Sequence, residues 1–161
     1  MRNALSHQEQ RVEPLPTPTH REVVGLETAA LAVGAIIDHS IRRTITDFDN
    51  ITASLLVMNT HPVHSDYDFA ARTRFKKPLV VSPFLLSCIV GAVTDDLRQL
   101  PLSGFNIRDL RFVKPVHPGD TIAARSIVES AETNEYVLAM TGLKADRTEF
   151  AQFRLILTLD G

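Results

Sequence analysis

Apolar positions change their period several times along the chain. "LAVGAIIDHSIRRTIT" (31–46) alternates, placing Ile37, His39, Ile41, Arg43 and Ile45 on one face of an expected strand. "TDFD" then reads as a capping box: Thr46 bonds the amide of Asp49, and the Asp49 side chain reaches back to the amide of Thr46. Phe48, Ile51, Leu55 and Met58 follow at the spacing of one face of a short amphipathic helix. Pro62 is expected to end that helix, because the residue before a proline avoids helical geometry. Asp66 is an N-cap type and opens a second small helix through "YDFAART". A basic link, "RTRFKKP", comes next.

"SPFLLSCIVGAVTDDLRQLP" (82–101) predicts a long helix, with Ser82 as N-cap and Pro83 in the first turn. Phe84, Leu85, Leu86, Ile89, Val90, Ala92 and Val93 make it apolar nearly all round, so other structure should wrap it. Beyond Pro101 the period becomes two. "FNIRDLRFVKPVHPGD" leads to a turn at Pro118 and Gly119. "TIAARSIVES" and "EYVLAMTGLKA" are separated by "AETN". "FAQFRLILTLD" puts Ala151, Phe153, Leu155, Leu157 and Leu159 on one face. Short turns between consecutive strands predict an antiparallel meander. One long apolar helix plus a sheet that must bury it predicts an α+β class protein. Its architecture is a single hot-dog, a long apolar helix wrapped by a curved antiparallel sheet.

The totals change this picture little. A chain of 161 residues suits one domain with a real core. A net charge of −2 gives no basic field of the kind nucleic acid requires. Cys88 is the only cysteine, which excludes an intrachain disulfide and a multi-thiolate zinc site. It lies in an apolar run and reads as a small buried residue rather than a nucleophile. The first residues are polar and proline-bearing, without the apolar core of a secretory signal. No run approaches the roughly 18 apolar residues that span a bilayer. The expectation is a cytoplasmic protein with a flexible leader over 1–19 and one domain over 20–161.

Candidate chemistry gathers in "MNTHPVHSD" (58–66). His61 and His64 lie three apart with a proline between them, and no nearby Glu or Cys completes a metal set. This stretch, the following "KPLVVSPFLL", the preceding "RRTITDFDN" and the later "RFVKPVHPGDTI" together resemble the MaoC-like (R)-specific enoyl-CoA hydratases. Their usual pattern is G-D-x-N-P-x-H-x-D, with a P-I-x-H-G entry to the hot-dog helix. Pro62, His64 and Asp66 match, and the similarity covers roughly 31–128. The combination of "DN", "MNT", P-x-H and "KPLVVS" is most similar to the mesaconyl-CoA hydratase (β-methylmalyl-CoA dehydratase) branch. Asn59 stands where the family's catalytic aspartate usually is, Met58 where its glycine is, and His61 where its asparagine is. Ser82 replaces a glycine whose amide polarises the thioester carbonyl.

The resemblance implies a hydro-lyase that reversibly hydrates a short 2-enoyl-CoA, with no cofactor beyond the coenzyme A of its substrate and no metal. His64 would be the acid/base, since an imidazole titrates near working pH. The competing reading is a loop histidine satisfied by backbone. An amide at Asn59 is no base, but it can orient water through its oxygen and its NH2 group. The alternatives are that another carboxylate, from the protein or the substrate, supplies the base, or that the chain binds acyl-thioesters without turning them over. Asn59 is also a residue type suited to a helix C-cap. The start of the long helix has free amides and the positive end of a dipole, suited to an enolate oxygen. Pro83 has no amide, so Ser82 or Phe84 would donate. Ser82 itself lacks a G-x-S-x-G context and does not read as a nucleophile. Arg72, Arg74, Lys76 and Lys77 are either a solvated link or a seat for coenzyme A phosphates. Arg42 and Arg43 are further candidates, for a substrate carboxylate. Asp49 and Asp66 read as caps, and His39 and His117 as isolated structural residues. Exposed sheet edges predict a homodimer. A thioesterase on the same fold and a non-catalytic acyl-CoA-binding subunit are the alternatives.

Overall fold

The structure, a computed structural model, describes residues 31–160; the expected leader lies outside them. In chain order the elements are β1 (Ile36–Asp38), β2 (Arg43–Thr44), α1 (Asp47–Leu56), a 3-10 turn at Pro62–His64, α2 (Tyr67–Arg72), α3 (Ser82–Leu97), β3 (Leu102–Phe112), β4 (Thr121–Ala131), β5 (Glu135–Lys144) and β6 (Glu149–Leu159). The sheet is antiparallel in the order β1-β4-β5-β6-β3, with β2 also on β4. This is the expected α+β hot-dog arrangement. No helix among the described residues is long and apolar enough to cross a membrane.

The inner face of β6 is as read from its alternation: Ala151, Phe153, Leu155, Leu157 and Leu159 are all buried. They meet Leu85, Ile89, Val93 and Leu97 of α3 in one apolar core. Gly142 on β5 makes room for this packing. A Cβ there would lie 2.7 Å from Phe150 Cζ and 2.8 Å from Ile89 Cδ1.

The structure departs from several expectations. The stretch 31–46 is not one strand. Asp38 pairs with Arg125 and Arg43 with Ile122, so the four residues 39–42 lie opposite only 123 and 124 on β4, and the chain must bulge between them. The bulge turns His39 inward while Ile41 and Arg43 stay exposed. His39 is not isolated: its Nδ1 lies 2.7 Å from Asp96 Oδ2 and its Nε2 lies 3.0 Å from Ser126 Oγ. Second, only β4, β5 and β6 form the meander. β3 precedes β4 in sequence but pairs with β6 at the far edge. Pro115 and Pro118 in the connection have no amide for a ladder, which disfavours a simple hairpin. The turn at Pro118–Gly119 is present, with Asp120 N–H donating to His117 O at 3.0 Å and Gly119 at φ 96°. Third, Val81 rather than Ser82 is the N-cap of α3, and Ser82 is its first helical residue. Fourth, α3 is covered on one side only. Leu85, Ile89, Ala92, Val93 and Leu97 are buried, whereas Ser87, Gly91 and Thr94 are exposed.

Candidate active site

The site is built at the inner face and C-terminal end of α1. The capping box forms as its sequence requires: Asp49 N–H donates to Thr46 Oγ1 at 3.1 Å, and Thr46 N–H donates to Asp49 Oδ2 at 2.9 Å. The Thr46 amide first, and its hydroxyl next, which donates to Asp49 Oδ2 at 2.8 Å, hold the Asp49 carboxyl below its ordinary pKa, with a smaller contribution from Arg43. The apolar stripe does not face the core. Phe48, Leu55 and Met58 are 77%, 70% and 85% exposed. The buried face is instead small and polar: Asn50, Ala53 and Ser54.

Pro62 does not end α1. The helix closes at Leu56 in a Schellman arrangement, with Met58 N–H donating to Leu55 O at 3.1 Å and Asn59 N–H to Ser54 O at 2.9 Å. That motif needs a left-handed residue, and Met58 takes the role at φ 56°. A glycine is the natural occupant, since it has no Cβ to strain the turn. Pro62 opens the 3-10 turn, whose missing amide would have had no partner there. His61 caps this turn, its Nδ1 accepting from Val63 N–H at 3.2 Å. The His61 ring meets Phe69 edge-on at 5.8 Å.

His64 and Asn59 are brought together. His64 is half-buried, and its Nδ1 lies 2.8 Å from Leu79 O. A carbonyl only accepts, so Nδ1 carries the proton and neutral Nε2 presents a lone pair. Asn59 Nδ2 lies 3.2 Å from that Nε2. Asn59 Oδ1 accepts from His61 N–H at 3.2 Å and keeps a second lone pair for another donor. Asn59 thus sits past the C-cap, with both ends of its amide used within the motif.

Asn50 is the residue that the sequence reading passed over. It is 1% exposed, donates through Nδ2 to His64 O at 2.7 Å and to Leu79 O at 3.0 Å, and accepts from Val81 N–H at 3.0 Å. The available signal was a polar i, i+4 pair, Asn50 and Ser54, opposite the apolar stripe.

The remaining candidates disperse. Asp66 caps α2, accepting from Phe69 N–H at 2.9 Å. Phe84 cannot offer its amide freely, since that N–H donates to Val81 O at 3.1 Å. Ser82, at the first helical position, carries one of the amides that helix geometry leaves without an intrahelical partner. Arg72, Arg74, Lys76 and Lys77 are all exposed; Arg72 pairs with Asp68, and Arg74 lies over the Phe75 ring at 4.7 Å. Arg43 pairs with Asp49 and lies 5.5 Å over the ring of Phe84, while Arg42 is half-buried. His117 Nδ1 donates to Pro78 O at 2.8 Å, a structural tie. Beside the start of α3 a cavity of about 330 Å³ is lined by Ile41, Arg43, Phe84, Cys88, Ile122 and Ala123, among others. His64 and Asn59 do not line it. Cys88 is half-buried, and burial pushes its thiol pKa up, which keeps it from being a ready nucleophile. Among the described residues no three His, Cys, Asp or Glu side chains gather as metal ligands would.

Comparison with known proteins gives the family. The MaoC like domain model matches residues 28–148. The chain belongs to the MaoC-like domain family. An (R)-specific enoyl-CoA hydratase from Rhodospirillum rubrum is 28% identical to this MaoC-like chain over 127 residues, covering 76% of the chain and 75% of the relative. Protein MaoC of Klebsiella aerogenes is 33% identical over 84 residues, covering 52% of the chain; the match spans only 25% of that larger protein. Among solved structures, the (R)-hydratase from A. caviae involved in PHA biosynthesis superposes with a TM-score of 0.67 at 23% identity. That match covers 80% of the MaoC-like chain and 97% of the other.

Proposed function

We propose that this protein is a hydratase/dehydratase that adds water reversibly to a short 2-enoyl-CoA. The observation that carries the reading is the His64–Asn59 pair, with Nδ1 of His64 tied to Leu79 O and Nε2 left as a lone pair. Family membership and the hydratase relative support the same chemistry. His64 Nε2 takes a proton from water as its oxygen bonds to the β-carbon, and returns that proton to the α-carbon. The α,β double bond is consumed, and an enolate oxygen forms between the two steps. The Ser82 amide, at the positive end of α3, is suited to hold that oxygen. Asn59 orients the water: its Oδ1 accepts an O–H, and its Nδ2–H, which takes the single Nε2 lone pair in this structure, gives that lone pair up to the incoming water before the proton moves. No metal or redox cofactor enters these steps.

The substrate we favour bears a second carboxylate, as mesaconyl-CoA does, with Arg43 its candidate partner; the cavity beside Phe84, which His64 does not line, would take a part of the ligand away from the reacting carbons. Arg74, Lys76 and Lys77, with Arg72, offer cations to the phosphates of coenzyme A. The active form is a homodimer joined along β3. This eleven-residue edge strand has no buried position, and Phe105 is 64% exposed. Such an edge is normally paired or covered. The protein works in the cytoplasm.

Crotonyl-CoA and mesaconyl-CoA provide the test. Loss of enoyl absorbance is expected, and His64→Ala should lower turnover on the order of 100-fold or more in a folded protein. Unchanged turnover would remove His64 from the role. Release of free thiol would indicate a thioesterase, and neither signal an acyl-CoA-binding subunit. The non-catalytic reading draws on Asn59 itself, an amide where a base would normally stand. Asn59→Asp supplies that carboxylate. It should maintain or improve crotonyl-CoA turnover relative to mesaconyl-CoA, whose own charge meets the new one. An unchanged ratio would place Asn59 outside the site.

A further inference from the structure

We infer that Asn50 is the positioning residue that fixes the tautomer of His64, and with it the nitrogen that faces substrate. The inference rests on the proposed acid/base role of His64 and adds a residue to it. Asn50 uses its whole side-chain amide on three backbone groups that are distant in sequence. One N–H goes to His64 O, the other to Leu79 O, and Oδ1 receives Val81 N–H. Leu79 O therefore accepts two donors, Asn50 Nδ2 at 3.0 Å and His64 Nδ1 at 2.8 Å. A carbonyl oxygen has two lone pairs, and both are taken.

This doubles the control over the imidazole. Asn50 holds the backbone of His64 and, independently, the carbonyl against which the His64 ring is aligned. With the carbonyl fixed, Nδ1 must carry the proton, and Nε2 is the unprotonated nitrogen, here accepting from Asn59 Nδ2. The segment 78–81 belongs to no strand, so ladder bonds do not set its position. It is held by His117 Nδ1 to Pro78 O at 2.8 Å, Leu79 N–H to Val63 O at 3.0 Å, Val80 N–H to Val116 O at 2.8 Å, and the Asn50 amide. The same amide takes Val81 N–H, one residue before Ser82. The base and the proposed oxyanion donor are thus referred to one buried side chain on α1.

The residue type is specified by this geometry. Two donors and one acceptor at the end of a single methylene describe asparagine alone. Aspartate would set acceptors against two carbonyls, and leucine would take the Asn50 partner from all three backbone groups, leaving Leu79 O with His64 Nδ1 alone. This also accounts for a polar residue at 1% exposure on a helix whose apolar residues point to solvent.

The test uses the full chain and has a readout that needs no turnover. Multiple-bond proton–nitrogen correlation on the histidine rings reports the His64 tautomer directly. In the wild type a single Nδ1–H form is expected above the titration of the ring. Finding Nε2–H, or a mixture, would overturn the inference without any variant. Asn50→Ala should give a mixed tautomer and lower kcat at least ten-fold, with KM within two-fold. Asn50→Asp should do the same and also move the base limb of the kcat/KM pH profile upward, since a carboxylate beside the imidazole favours its charged form. A purely structural asparagine would lower Tm but leave tautomer, pH profile and kcat of the folded protein unchanged, and that result would refute the proposal. If the wild type turns over no enoyl-CoA, the hydration reading fails, and the tautomer of wild type and variants still decides this one.

Discussion

Helices α1 and α3 bury opposite kinds of surface. α3 turns Leu85, Ile89, Val93 and Leu97 into the sheet and leaves Ser87 and Thr94 outside. α1 turns Asn50 and Ser54 inward and leaves Phe48, Leu55 and Leu56 outside. α3 is held by apolar area removed from water, which is large and non-directional. α1 is held by its capping box, its terminal turn and the three bonds of Asn50, which are few and directional. A core can be placed by the first kind of force. A base that must present one nitrogen in one direction needs the second.

The contrast is sharpest in a pair of truncations. Leu85 is 2% exposed, and Leu85→Ala should cost about 2–5 kcal/mol in urea unfolding. Leu55 is 70% exposed, and Leu55→Ala should stay within about 0.5 kcal/mol. Equal costs would break the comparison. A Leu55→Ala cost that grows with protein concentration would show the outer stripe of α1 covered by another chain, as large exposed apolar patches often are.

This pair also marks how much could be read from sequence. The inner face of β6, the long helix, the capping box and the α2 cap were legible, because each depends on period or on residues within four positions. The orientation of α1 was not. Periodicity says which face is apolar but not what lies against it, and here the buried side is a polar site rather than the core. The pairing of β3 with β6 was hidden for a related reason, since strand order depends on contacts far apart in sequence. The motif at 58–66 was legible as a cluster of polar side chains, and the structure does bring His64 to Asn59. Its support was not, because Leu79 and Asn50 contribute through bonds to backbone, and backbone acceptors carry no sequence signature.

A smaller effect tests the directional half of the comparison. Thr46→Ala removes the hydroxyl that accepts from Asp49 N–H and should cost about 1 kcal/mol at neutral pH. The Asp49 pKa lies below its ordinary 3.8 in the folded state. Its contribution is therefore present above that ordinary value and is lost as pH falls toward the folded one. The gap between wild type and variant should narrow in acid, measured as unfolding midpoints at pH 7 and pH 3. A gap that is constant with pH would mean that the ionised Asp49 does not contribute through the cap.

The smallest effect concerns the end of α1, where the directional forces meet strain. Met58 is held at φ 56°, a conformation that costs an L-residue roughly 1–2 kcal/mol. α3 carries no such cost, since no residue at its C-terminal end has a positive φ. Met58 is 85% exposed, so its side chain returns little packing for that strain. Met58→Gly removes the Cβ from the left-handed turn but adds freedom to the unfolded chain, an opposing term of about 0.5–1 kcal/mol. The net should be a gain of about 0.5 kcal/mol, seen as a small rise in Tm. The two Schellman bonds run through backbone, so Asn59 should keep its place beside His64 and turnover should stay within two-fold. A loss of stability instead would show that the Met58 side chain has a partner outside this chain, and that the outer surface of α1 is a contact surface down to its last residue.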